Sequence, residues 1–179
     1  MPETIYYSRV NSPVGPLLLA VSERGLVALE FDRGKVGAGW VKSPEKTAAC
    51  ARQLEEYFAG RRRQFDLPLD LRGTDFQKRC WLKLLKIPYG ETRSYADIAR
   101  AMGKPKAVRA VGLANGQNPI AIIVPCHRVI GSDGSLTGYG GGLDVKRKLL
   151  ELEGALSGVL VSSGTRAWGA LSGGRPAST

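Results

Sequence analysis

The sequence predicts an α+β protein, with a small N-terminal lobe of antiparallel strands plus one helix, followed by a mainly helical C-terminal domain containing a helix-turn-helix. Three observations predict it: short β-rich runs fill residues 4–31, a helical pattern with its own capping spacing begins at Thr74, and two short helices with a tight break follow over 94–115. The runs TIYYSRV, PLLLAV and GLVALEF are separated by Ser-Pro, Gly-Pro and Glu-Arg-Gly punctuation, which favours an antiparallel meander. Ser43 and Pro44 then supply an N-cap and an N1 proline for a helix through Ala48, Ala51, Leu54 and Phe58, stopped by Gly60. The basic stretch RRRQF at 61–65 reads as a solvated loop.

A boundary near Gly73 separates this scaffold lobe (1–73) from a second domain (74–154). Thr74 and Gln77 have capping-box spacing, and Phe76, Trp81, Leu84 and Leu85 make an apolar stripe behind them. Ser94 caps SYADIARAM, Gly103 stops it, and Pro105 opens KAVRAVGLAN, which is the helix-turn-helix pattern. On the second of these helices Ala107, Ala110 and Ala114 recur at i, i+3 and i+7 with Arg109 beside them. That smooth face suits close approach to a nucleic-acid groove or close packing of another helix. LDVKRKLLELEG forms the final helix, and the Gly-, Ser- and Ala-rich tail 155–179, which has no acidic residue, is expected to be largely disordered.

Composition narrows the function. With 179 residues and 43% hydrophobic content the chain can bury a core, but it has no apolar run of ~18 residues able to span a membrane. The first ten residues include an acidic side chain and no apolar segment of the ~7–15 residues a secretory signal needs, so a cytoplasmic protein is expected. Cys50, Cys80 and Cys126 are too widely spaced for a disulfide framework or a CxxC metal site, which leaves at least one free thiol. The net charge of +10 is uneven. Residues 75–154 carry 13 basic against 7 acidic residues, whereas 1–74 carry 11 against 9. A basic surface of this kind attracts phosphate and steers encounter with nucleic acid.

The chemistry concentrates in PIAIIVPCHRVI, residues 119–130, where an apolar β-like run meets Pro125 and delivers Cys126, His127 and Arg128. His127 is the only histidine of the chain. A thiol near its usual pKa of ~8.5 is mostly protonated at neutral pH, so a nucleophilic cysteine needs a base or a positive field. Successive side chains of a regular strand point to opposite faces. A turn after Pro125 or a bridging water is therefore required to couple Cys126 to His127. The imidazole in turn needs a carboxylate to fix its tautomer, and Glu151 and Glu153 on the final helix are the candidates.

The segment PCHRVIGSDGSLTGYGGGLDVKRKLLELEG resembles the active-site region of the methylated-DNA–protein-cysteine methyltransferases, the O6-alkylguanine-DNA alkyltransferases. The likeness runs back through FQKRCWLKLLKIPYGETRSYADIARAMGKPKAVRAVGLANGQNP, so it covers residues 74–154. It implies a ribonuclease-H-like N-terminal lobe and a winged-helix-like C-terminal domain. The reaction it implies is single-turnover transfer of an alkyl group from O6-alkylguanine, with O4-alkylthymine as a second lesion, to Cys126. By the same resemblance His127 is the base acting through a water, Glu153 completes the relay, Asn118 ties the helix pair to the active-site segment, and Tyr95 assists the leaving base at its N3. Arg109 is similar to a finger that enters the duplex, with Ala107, Ala110, Tyr95 and Arg128 as further DNA contacts in the minor groove. The backbone of Val129 and the loop Tyr139, Gly140 and Gly141 would hold the flipped base, Gly140 standing where relatives carry Ser or Ala. The implied partner is double-stranded DNA, bound by a monomer able to cluster along it. No cofactor is implied, and with Cys50 but no histidine in residues 1–74 the structural zinc of some relatives is not expected. A damage-recognition protein without chemistry and a helix-turn-helix regulator are the rival classes, and both leave Cys126 without a role.

Overall fold

The computed structural model describes residues 2–156, so residues 157–179 of the expected disordered tail lie outside the described residues. β1 (Tyr6–Val10), β2 (Leu17–Val21) and β3 (Leu26–Phe31) form the expected antiparallel meander, with Val10 opposite Leu17 and Leu17 opposite Phe31. A two-residue strand, β4 (Val41–Lys42), pairs parallel to β1 and gives the sheet order β3-β2-β1-β4. β4 has no local sequence signal, because it exists only through its non-local pairing with β1. In β2 every residue from Leu17 to Ala20 is buried, which explains why this strand is continuously apolar rather than alternating.

α1 (Ala48–Phe58) buries Cys50, Gln53, Leu54 and Tyr57 and begins four residues after Pro44, not at it. Ser43 instead closes a separate turn, its carbonyl accepting from the Lys46 N–H at 3.1 Å, while the Thr47 hydroxyl is paired with Ser8 at 2.5 Å.

The chain divides into two units, one of residues 1–74 with 119–123, the other of 75–118 with the residues from Val124 onward. The 119–123 segment, expected within the second domain as a β-like run, thus belongs with the N-terminal sheet. The Leu29 N–H donates to the Pro119 carbonyl at 3.0 Å and the Ala121 N–H to the Leu29 carbonyl at 2.9 Å. Only an isolated bridge between Leu29 and Ile120 results. The next step fails because Ile122 adopts φ 72°, a conformation that a β-branched residue rarely takes and that cannot continue a strand.

In the second unit α2 (Asp75–Leu84) buries Cys80, Trp81 and Leu84, and the Trp81 indole donates to the Ala114 carbonyl at 2.8 Å. Leu85, expected on the buried stripe, is exposed. β5 (Arg93–Ser94) leads into α3 (Tyr95–Ala101), whose capping box is complete: Ser94 Oγ accepts from the Asp97 N–H at 3.0 Å and Asp97 Oδ2 from the Ser94 N–H at 2.8 Å. Gly103, at φ 74°, ends the helix as expected. α4 (Val108–Gly116) starts three residues after Pro105, with Ala107 at its cap. A 3-10 turn (Cys126–Arg128), β6 (Val129–Ile130) and α5 (Leu143–Leu152) complete the unit, β6 pairing parallel with β5. Among the described residues no helix is long and apolar enough to cross a membrane.

Candidate active site

Pro125 ends the incoming segment, and the following three residues wind into a 3-10 turn instead of the regular strand in which neighbours would diverge. This is the turn that the adjacency of Cys126 and His127 requires. It buries all three side chains, Cys126 at 5% exposure, His127 at 0% and Arg128 at 7%.

α5 supplies the carboxylate. Lys146, Leu149, Leu150 and Glu153 are buried at the i, i+3, i+4, i+7 spacing of one helical face, so the end of the helix brings Glu153 to the turn. His127 Nε2 lies 2.8 Å from Glu153 Oε2, and Arg128 donates to both carboxylate oxygens, Nε to Oε1 at 2.8 Å and Nη2 to Oε2 at 3.0 Å. A third Arg128 bond runs from Nη1 to the Ile87 carbonyl at 2.7 Å. Burial pushes the Glu153 carboxyl up, but the adjacent His127 and Arg128 outweigh burial and hold it at about 2. It is therefore ionised and can only accept hydrogen bonds. Nε2 is thus the donor in the His127–Glu153 bond, and Nδ1 is buried with no protein hydrogen-bond partner. Of the two carboxylates open to the sequence analysis, the geometry selects Glu153.

Arg128 corrects an expectation. Expected as a DNA contact, it is a buried clamp on Glu153, because an ionised carboxylate enclosed with a histidine needs a permanent counter-charge.

Burial pushes the Cys126 thiol up from its ordinary range. Opposing this, the Asn118 side chain, the Lys146 charge and the nearby Tyr139 hydroxyl favour the thiolate. Asn118 also ties the segment together, its amide donating to the Val124 carbonyl at 2.7 Å. The Asn115 amide of α4 reaches the Cys126 carbonyl at 3.4 Å. Lys146 Nζ donates to the carbonyls of Val129 at 2.7 Å, Thr137 at 2.8 Å and Gly138 at 3.5 Å. Burial lowers this ammonium to about 8. The Val129 N–H donates to the Cys126 carbonyl, so of the Val129 backbone only a second carbonyl lone pair stays open to a base.

Tyr95, at the start of α3, shares a 2.8 Å hydroxyl–hydroxyl bond with Thr137. Gly140 is exposed, and a Cβ there would meet nothing within 4 Å, so space does not forbid the Ser or Ala of relatives; Gly141 is half-buried ahead of α5. On α4 the small face differs from expectation. Ala114 is buried and gives its carbonyl to Trp81, while Arg109, Ala110, Leu113 and Gly116 are exposed and Ala107 is half-buried. Among the described residues no group of three or more His, Cys, Asp or Glu could hold a metal ion.

Lys146, Thr137 and Asn115 are absent from the expected site. Lys146 carries a legible signal, a charge on the apolar stripe of the final helix; Thr137 and Asn115 have none, since their partners are distant in sequence.

A stability prediction follows from Glu153. Its carboxyl is near 4.5 in an unfolded chain and about 2 here, so its contribution is complete above about 4.5 and is lost as pH falls from there towards 2. About 3 kcal/mol is at stake from the size of that shift. Urea denaturation at pH 7, 5 and 3 should show the decline, and Glu153→Gln should be less stable at pH 7 but flatter with pH. Parallel pH profiles would contradict this.

Similar proteins have the same layout. Residues 75–155 match the DNA binding domain of 6-O-methylguanine DNA methyltransferase and residues 5–71 its ribonuclease-like domain. A methylated-DNA–protein-cysteine methyltransferase of Methanosarcina barkeri is 57% identical over 153 residues, 83% of this chain and 97% of that one. The protein of the same name from Mycobacterium tuberculosis is 57% identical over 152 residues, 83% of this chain and 92% of that one. Among solved structures, the M. tuberculosis O6-methylguanine methyltransferase superposes with a TM-score of 0.79 at 54% identity, covering 86% of this chain and 94% of that one. M. tuberculosis OGT in complex with DNA gives 0.80 at 56% identity, covering 84% and 94%.

Proposed function

The chain belongs to the 6-O-methylguanine DNA methyltransferase family, and on that premise we propose that Cys126 is the alkyl acceptor and that the groups around it run a single-turnover reaction. The activity is repair of DNA by transfer of an alkyl group from O6-alkylguanine to a cysteine thiol. What supports Cys126 is its placement: among the three thiols it alone combines burial with hydrogen bonds and a cation that favour the thiolate, beside a histidine held by a carboxylate. Burial pushes Cys50 up to about 12 and Cys80 up to about 11, and neither has a neighbouring group that opposes it as Asn118 and Lys146 do at Cys126.

In the proposed reaction the Cys126 proton passes through one water to His127 Nδ1, and the imidazolium is stabilised by Glu153. The thiolate attacks the alkyl carbon in line, the carbon–O6 bond breaks, and its electron pair stays with the base. Tyr95 donates to N3 of that base as charge builds there. A thioether is too poor a leaving group to regenerate the thiol, so the protein is consumed. An enclosed thiol cannot reach a stacked base, so the nucleotide is flipped. The exposed α4 face, with its small Ala110 and the Arg109 finger, suits the minor groove. A monomer acting on duplex DNA is sufficient, with O4-alkylthymine as a second substrate.

Titrating an O6-methylguanine duplex against the protein should end repair at one alkyl per chain, and continued turnover would overturn the single-turnover reading. Unstacking a base costs a few kcal/mol. Arg109→Ala should therefore slow duplex repair by about tenfold or more, with little change in reaction with free O6-benzylguanine. Equal losses on the two substrates would count against the finger.

A further inference from the structure

We propose that Thr137 is a positioning residue for the transfer: its hydroxyl donates to the Tyr95 hydroxyl and so fixes the phenol proton towards the leaving base. The inference rests on the assignment of Tyr95 to the base made above.

The two oxygens are 2.8 Å apart, and in the free protein either could be the donor. Chemistry decides the direction once a base is present. N3 of an O6-alkylguanine offers only a lone pair, so Tyr95 must donate to it; a phenol has a single proton, so Tyr95 can then only accept from Thr137. The arrangement is a directed chain, Thr137 to Tyr95 to the base.

Thr137 is well placed to hold that direction. Its carbonyl accepts from the buried Lys146 ammonium at 2.8 Å, and the same ammonium binds the Val129 carbonyl at 2.7 Å, which stitches the loop to the strand leaving Cys126. The loop is thereby tied at the residue whose hydroxyl meets Tyr95. Burial, and the nearby Cys126, raise the Tyr95 hydroxyl, which makes it a reluctant proton donor; the Thr137 bond acts in the opposite sense. As the thiolate forms its bond to carbon and the electron pair of the breaking carbon–O6 bond moves onto the base, the Tyr95 proton is drawn towards N3 and negative charge grows on the phenol oxygen. A donor aimed at that oxygen stabilises the transition state more than the ground state. The base anion finally takes one proton, so thiol plus O6-alkylguanine becomes thioether plus guanine.

The test uses full-length wild type, Thr137→Val, Thr137→Ser, Tyr95→Phe and the Tyr95→Phe/Thr137→Val double variant. Three quantities are measured: single-turnover transfer from an O6-methylguanine duplex, duplex affinity, and alkylation of Cys126 by iodoacetamide, whose halide leaving group has no N3 to assist. Thr137→Val, which keeps the shape and removes the hydroxyl, should slow transfer about tenfold, the scale of a hydrogen bond to a group developing charge. Duplex affinity and the iodoacetamide rate should stay unchanged, Thr137→Ser should restore most of the rate, and the double variant should be no slower than Tyr95→Phe.

Transfer by Thr137→Val at the wild-type rate while Tyr95→Phe is slow would overturn the role of Thr137 and leave that of Tyr95 standing. Equal slowing of transfer and iodoacetamide alkylation, equal loss in Thr137→Ser and Thr137→Val, or additive losses in the double variant would reduce Thr137 to loop packing. Tyr95→Phe at the wild-type rate would remove the underlying assignment itself.

Discussion

Serine in place of Cys126 is expected to bring alkyl transfer below about 1% of wild type while duplex binding stays close to normal. The reason lies in how the site is built. Asn118, Tyr139 and Lys146 favour a thiolate against the cost of burying it. A serine hydroxyl holds its proton far more tightly than a thiol, and the same donors cannot free an alkoxide at neutral pH. The exposed α4 residues proposed to meet DNA are untouched by the change. A quenched-flow or gel assay of single-turnover repair, paired with a binding titration, reads both quantities. Transfer by Cys126→Ser at a tenth of the wild-type rate would show that the reaction does not depend on a thiolate at position 126.

The second large effect is expected from Glu153→Gln, and it should appear in two observables at once. The amide is nearly the volume of the carboxyl but carries no charge, so the Arg128 guanidinium stays buried without its counter-ion. Breaking a buried pair in this way costs about 3–5 kcal/mol of stability. His127 meanwhile loses both the acceptor that fixes its tautomer and the charge that supports its protonated form. Transfer should fall about 10²–10⁴-fold, the usual contribution of a general base. Measuring rate well below the melting temperature separates the two losses. A variant that is destabilised yet transfers within tenfold of wild type would mean that the carboxylate only supports the fold.

Much of this was legible in the residues, for reasons that differ from element to element. The three strands of the meander and the α3 cap at Ser94 follow local patterning and turn chemistry, and both form as expected. Cys126 and His127 stand out because they are adjacent and His127 is the only histidine, whereas Glu151 and Glu153 are both open on the final helix and only the family resemblance points to Glu153. Three kinds of feature could not be read. β4 exists only through its partner β1. The 119–123 run carries every mark of a strand, and the left-handed backbone at Ile122 that stops it has no local cue, since isoleucine is among the residues least expected there. Arg128 reads as a surface cation, and its burial depends on an ion pair with a residue 25 positions away. Lys146 marks the boundary between these cases. The charge on an apolar stripe is visible, but its three carbonyl partners belong to tertiary structure.

The most direct test of the central claim is to incubate excess wild-type protein with a duplex carrying a single O6-methylguanine, then record the intact mass and map it on peptides. The expected result is a gain of about 14 Da, one methyl in place of a proton, located on the peptide containing Cys126, with the duplex returned to guanine. A protein that binds the duplex and keeps its original mass, or one that carries the methyl group on Cys50 or Cys80, would contradict it.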